Sequence, residues 1–132
     1  MPGTLLYLDS SAIVKLVVPE PETRALREHL RSWPERVSSV IARVEVVRAA
    51  RRVGLSAARR AEAVVARLGL VELDDEVIQR ASRLKPPEVR TPDAIHLATA
   101  LSLGDDLGAV CVYDARVSSV AGTLGLTTLA PA

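Results

Sequence analysis

Short apolar runs alternate along the chain with longer stretches in which hydrophobic positions recur every three or four residues. The first run, residues 4–8, is rich in strand formers and ends at Asp9, Ser10 and Ser11. A side-chain oxygen there can accept a free backbone N–H, so the trio predicts a helix start. That helix covers residues 12–18 and stops at Pro19 and Pro21. A second helix over 22–31 sets Ala25, Leu26 and Leu30 on one side. Residues 37–40 predict a short strand, and 41–53 a helix closed by Gly54. Ser56 then caps a helix reaching residue 68, before Gly69 and a strand over 70–73. Asp74 and Asp75 cap a helix over 77–84, and Pro86-Pro87 breaks the chain. Thr91-Pro92-Asp93 opens a helix to residue 103, with proline in the first turn where its missing N–H costs nothing. A strand over 109–113, a helix over 117–124 and a strand over 126–129 complete the pattern.

Such alternation predicts an α/β fold, a mostly parallel sheet covered by helices on both faces. Sites in these sheets lie beyond the carboxyl ends of the strands. No repeat, low-complexity segment or linker divides the sequence, so residues 1–132 read as a single domain.

Composition narrows the classes. Hydrophobic residues make up 48% and charged residues 25%, which excludes wholesale disorder and permits a core without disulfides. No apolar run approaches the roughly 20 residues needed to cross a bilayer. Residues 1–6 lack the basic flank and small-residue cleavage site of a signal peptide, so a cytoplasmic protein with no membrane partner is expected. The lone cysteine, Cys111, sits in the run Ala-Val-Cys-Val-Tyr and reads as a buried small hydrophobe. A net charge of +1 argues against generic coating of nucleic acid, and with no Phe, one Trp and two Tyr, stacking platforms are scarce. The cations are mostly arginine and cluster at Arg24, Arg27 and Arg31, at Arg43, Arg48, Arg51 and Arg52, and at Arg59 and Arg60. Such groups suit phosphate or carboxylate, or simply ion pairs on solvated helix faces.

Four acids stand at strand ends or in apolar surroundings. Asp9 and Asp114 each directly follow a predicted strand, Asp93 lies in a helix first turn, and Glu45 interrupts an apolar stretch. Each also has a plain structural role available: capping for Asp9 and Asp114, the helix dipole for Asp93, and an ion pair with Arg48 for Glu45. Asp74, Asp75, Glu76, Asp105 and Asp106 read as cap and loop acids. Carboxylates gathered in one crevice repel unless protonated or bound to a cation. An oxygen-only cluster suits Mg²⁺ or Mn²⁺. His96, one turn after Asp93, has no second copy of a metal motif and reads as a histidine bonded to Asp93 or a backbone group.

The stretches Leu6-Tyr7-Leu8-Asp9-Ser10-Ser11-Ala12, Val44-Glu45, Thr91-Pro92-Asp93-Ala94-Ile95-His96-Leu97-Ala98-Thr99-Ala100 and Val112-Tyr113-Asp114-Ala115-Arg116 occur in that order. Their acids are spaced by 36, 48 and 21 residues. Together they resemble a PIN domain, specifically the VapC-type ribonuclease toxins of toxin–antitoxin pairs, and the resemblance spans essentially the whole chain. It implies a three-layer α/β/α fold with a mostly parallel central sheet of about five short strands. It implies an acidic quartet of Asp9, Glu45, Asp93 and Asp114 holding Mg²⁺ or Mn²⁺, with Asp9 and Asp93 as direct ligands. Glu45 and Asp114 would complete the site directly or through water, or orient the attacking water, and Ser10 would support the acids from behind. The implied activity is endoribonucleolytic cleavage of RNA. The implied partners are a VapB-type antitoxin and a second copy of the chain, forming a heterotetramer or larger assembly with the antitoxin. One departure is Val112, where many relatives carry Thr or Ser two residues before the last acid; this leaves direct ligation by Asp114 open. The alternative reading is a PIN-like module that binds RNA or protein without cutting. A phosphotransfer domain is disfavoured, because Asp9-Ser10-Ser11 lacks the second Asp of the dehalogenase signature.

Overall fold

A computed structural model describes residues 3–132. Met1 and Pro2, where the leader reading begins, lie outside the described residues. The elements are β1 (Leu5–Leu8), α1 (Ser10–Val17), α2 (Thr23–Leu30), β2 (Glu35–Ser39), α3 (Ala42–Arg51) and α4 (Leu55–Ala66). They continue with β3 (Gly69–Val71), α5 (Asp75–Ser82), α6 (Thr91–Ser102), a 3₁₀ turn (Gly104–Asp106), β4 (Leu107–Cys111), α7 (Ala115–Thr123) and β5 (Thr128–Leu129).

All five strands run parallel in the order β3-β2-β1-β4-β5. Strand alternation sorts the core into two layers, because successive side chains point to opposite faces. On one face Leu6, Leu8, Ala109 and Cys111 meet the buried residues of α1 to α4, including Ile13, Leu26 and Val46. On the other, Tyr7, Val110 and Val112 meet Leu97 and Ala100 of α6 and Val117 and Ala121 of α7. Leu6, Leu8, Ile13 and Leu26 are fully buried, each worth about 1.5–3 kcal/mol of transfer free energy. With α5 packed on α6, the architecture is a three-layer α/β/α sandwich. Gly108 marks a close approach within it, since a Cβ there would sit 2.5 Å from the Trp33 ring. No helix among the described residues is long and apolar enough to cross a membrane.

Several boundaries differ from the sequence reading. The strand expected over 109–113 ends at Cys111, so Val112 and Tyr113 separate it from Asp114. Ser56 does not cap α4: Gly54 occupies that position, and the Ser56 hydroxyl accepts a hydrogen bond from Arg60 instead. Residues expected as loop around Asp105 form a 3₁₀ turn. The last strand shrinks to two residues.

Candidate active site

The chain builds β1, then β2 and β3 to one side, and returns to the other side of β1 with β4 and β5. The strand order therefore reverses between β1 and β4, and a crevice opens beyond their carboxyl ends. All four acids predicted for the site lie on the segments that start there: Asp9 caps α1, Glu45 lies in the first turn of α3, Asp93 in the first turn of α6, and Asp114 caps α7.

Asp9 extends β1 by one residue, and its backbone N–H donates to the Cys111 carbonyl at 3.3 Å. Only 6% of it is exposed. Its Oδ1 accepts from the Ser11 hydroxyl at 2.8 Å and from the Ala12 amide at 2.9 Å. Burial pushes its carboxyl above the ordinary range and the charge of Asp93 adds to that push; the two hydrogen bonds and His96 only partly oppose it.

Glu45 reaches over the end of β1 from the opposite helical layer. Its Oε1 accepts from the Ser10 hydroxyl at 2.7 Å and faces His96 Nε2 at 2.8 Å. Its burial raises the carboxyl pKa, but the His96 and Ser10 bonds, with the Arg90 charge, outweigh that and hold it below the usual value. No Glu45–Arg48 pair forms among the described residues. Ser10, expected behind the acids, thus acts on Glu45 in particular. Among the described residues the His96 ring forms no hydrogen bond with Asp93 or with a backbone group, contrary to the expectation from sequence. Its Nδ1 lies 2.6 Å from the Tyr7 hydroxyl, and its Nε2 also lies 3.0 Å from Ser10 Oγ. The reason is geometric: position 96 faces inward toward β1, whereas Asp93 lies at the open end of α6.

Asp93 and Asp114 line one cavity of about 290 Å³ together with Glu88, Arg90 and Arg116. Asp93 pairs with Arg90 at 3.5 Å. Asp114 Oδ1 accepts from the Val117 amide at 3.2 Å and the Arg116 amide at 2.8 Å, bonds that hold its carboxyl below the usual range. Sequence reasoning missed Tyr7, Glu88 and the role of His96. Tyr7 alone left a signal, as a polar-tipped aromatic two residues before Asp9 on the same face of the strand.

A common feature runs through three of the acids. In Asp9, Glu45 and Asp114 one carboxylate oxygen is engaged by the protein, while the other has no hydrogen-bonding partner among the described residues. No buried polar side-chain atom among them is left without a partner, so these second oxygens are not fully sealed from solvent. No three His, Cys, Asp or Glu side chains of the described residues are gathered into a ready-made metal cluster. The donors on offer are oxygens only. This chemistry fits Mg²⁺ or Mn²⁺, ions that take a few carboxylates and keep several waters.

The family model described as PIN domain matches residues 6–122. Ribonuclease VapC46 of Mycobacterium tuberculosis is 52% identical over 126 residues, covering 96% of this chain and 97% of that protein. Ribonuclease VapC35 of the same species is 37% identical over 131 residues, with the same coverage. Among solved structures, a toxin–antitoxin complex from Klebsiella pneumoniae superposes with a TM-score of 0.75 at 20% identity, covering 96% of this chain and 98% of that one. VapC20 of M. tuberculosis, described as a sarcin-ricin loop cleaving toxin, gives 0.77 at 18% identity over 96% and 99%.

Proposed function

The chain belongs to the PIN-domain family, among its VapC-type members, and on that premise we propose that it is a metal-dependent endoribonuclease toxin silenced by a cognate antitoxin. The observation that carries this reading is the set of half-engaged carboxylates at the switch point of the sheet. The protein fixes one oxygen of each and leaves the other free, an arrangement that orients ligands without consuming them.

Asp9 and Asp93 would hold Mg²⁺ or Mn²⁺ directly, with Glu45 and Asp114 completing the site directly or through water. When bound, such an ion activates a water for attack on phosphorus and neutralises charge building on the phosphate. Alternatively, Glu45 would orient the attacking water through its unengaged Oε2. Arg90 and Arg116 border the same cavity as Asp93 and Asp114 and supply cationic forks for the phosphates on either side of the scissile bond.

The antitoxin would seal this crevice. A groove of about 690 Å³ between α3 and α4, lined by Val44, Val47, Val65 and Leu68 with Arg43 and Glu62 beside them, offers a seat for an amphipathic segment. A basic side chain from that segment would then neutralise the acids. A homodimer, joined by the antitoxin into a heterotetramer or larger assembly, is the proposed oligomer.

The test is cleavage of total RNA with and without Mn²⁺. Cleavage that requires the metal and is reduced to background by Asp9→Asn or Asp93→Asn supports the enzyme. RNA retained on the protein without scission, under any divalent ion, makes it a binding module instead.

A further inference from the structure

Buried beneath the acids is a hydrogen-bonded chain that the proposed chemistry does not itself require. His96 is 4% exposed and Tyr7 fully buried. They meet edge to face with ring centroids 5.8 Å apart, and the phenol lies 2.6 Å from Nδ1. Ser38, Thr99 and the Ser39 backbone also lie within hydrogen-bonding influence of the Tyr7 hydroxyl. Nε2 faces a carboxylate oxygen, which can only accept, so a single ring hydrogen sits on Nε2 and leaves Nδ1 to accept from the Tyr7 hydroxyl. Nε2 is the atom that faces Glu45 Oε1 at 2.8 Å. The opposite tautomer would turn a nitrogen lone pair toward a carboxylate, which is repulsive. The Ser10 hydroxyl fits the same assignment, since it donates to Glu45 Oε1 and offers its lone pair to Nε2–H.

We propose that Tyr7 and His96 are positioning residues that lock Glu45 in one rotamer, Tyr7 by fixing the imidazole tautomer and His96 by donating from Nε2. Oε1 is thereby saturated and Oε2 alone is presented to the crevice. This rests on the reading that Glu45 belongs to the metal-binding acids. The relay joins the two helical layers across the end of β1, because Glu45 comes from α3 on one face and His96 from α6 on the other. A carboxylate on an α3 side chain is thus held in register with acids it does not share an element with. Partners of this kind typically cost 10–100-fold in metal affinity or activity when removed.

The first measurement is ¹⁵N NMR of the histidines in the wild-type chain without metal. His96 is expected with Nε2 protonated and Nδ1 as acceptor; a protonated Nδ1 overturns the proposal. The second is calorimetric titration of Mn²⁺ alone into the intact chain. Tyr7→Phe is expected to weaken binding by about 10-fold. His96→Gln, whose amide nitrogen can replace the Nε2 donor, retains most of the affinity, whereas His96→Leu does not. Adding Tyr7→Phe to His96→Gln changes nothing further, because no tautomer remains to be fixed. A purely packing role predicts instead that the two losses add. Asp9→Asn separates the possibilities: loss of Mn²⁺ binding there with normal binding in Tyr7→Phe overturns the relay alone. Normal binding in both overturns the acidic metal site and the relay with it.

Discussion

Burial of the Asp9 carboxyl works against its charge, so this residue is an electrostatic liability in the metal-free chain. Its folded pKa is raised, which means that ionisation destabilises the native state. The penalty is absent below the ordinary aspartate value of about 3.9, grows as pH rises toward the folded pKa, and is complete above it. Asp9→Asn keeps an oxygen for the Ala12 amide and removes the charge. We expect it to raise the Tm of metal-free protein at neutral pH. The gain should vanish at strongly acidic pH, and Mn²⁺ should stabilise only the wild type. Thermal melts at two pH values, with and without the ion, check all three outcomes. At this scale the sequence was informative about Asp9, Asp93 and Asp114, because each opens a helix and capping is a local signal. It was silent on the Tyr7–His96–Glu45 contacts. Those join residues 89 and 51 positions apart, and only the sheet face and helix orientation decide who meets whom.

Helix starts carry chemistry and stability together in this fold, and the two can be separated. Asp74 caps α5 by accepting from the Val77 amide at 2.9 Å, on an element that contributes no acid to the crevice. Asp114 caps α7 in the same manner and also borders it. Asp74→Ala should cost about 1 kcal/mol of stability and leave RNA cleavage intact. Asp114→Ala should lose both, and Asp114→Ser should restore the stability without the cleavage. Denaturant midpoints beside cleavage assays decide the matter. Element type was legible nearly throughout, because the apolar period marks the elements and side-chain caps open three of the helices, at Asp9, Asp74 and Asp114. Boundaries were less so. Ser56 mimics a cap, but Gly54 precedes it and the chain turns helical at Leu55, leaving the serine inside the first turn. At β4 the apolar run continues through Val112 and Tyr113, yet pairing with β1 stops at Cys111. Hydrophobicity marks what is buried, and hydrogen-bond register marks where a strand ends.

At the scale of the whole molecule, the parallel sheet followed from short apolar strands alternating with helices, but the strand order did not. Nothing local distinguishes a β4 that joins the β1 edge from one that extends beyond β3, and that choice creates the crevice. It also places Cys111 at the centre of the sheet, 1% exposed, with burial pushing its thiol up to about 12. Thiolate is the reactive form, so at neutral pH this sulfur should resist iodoacetamide for as long as β4 stays seated between β1 and β5. Labelling should accelerate with urea in step with the loss of circular dichroism; rapid modification in plain buffer would show that β4 detaches on its own. Because the chain holds a single cysteine, each alkylated molecule records one opening of the central sheet, and the protein carries its own clock for unfolding.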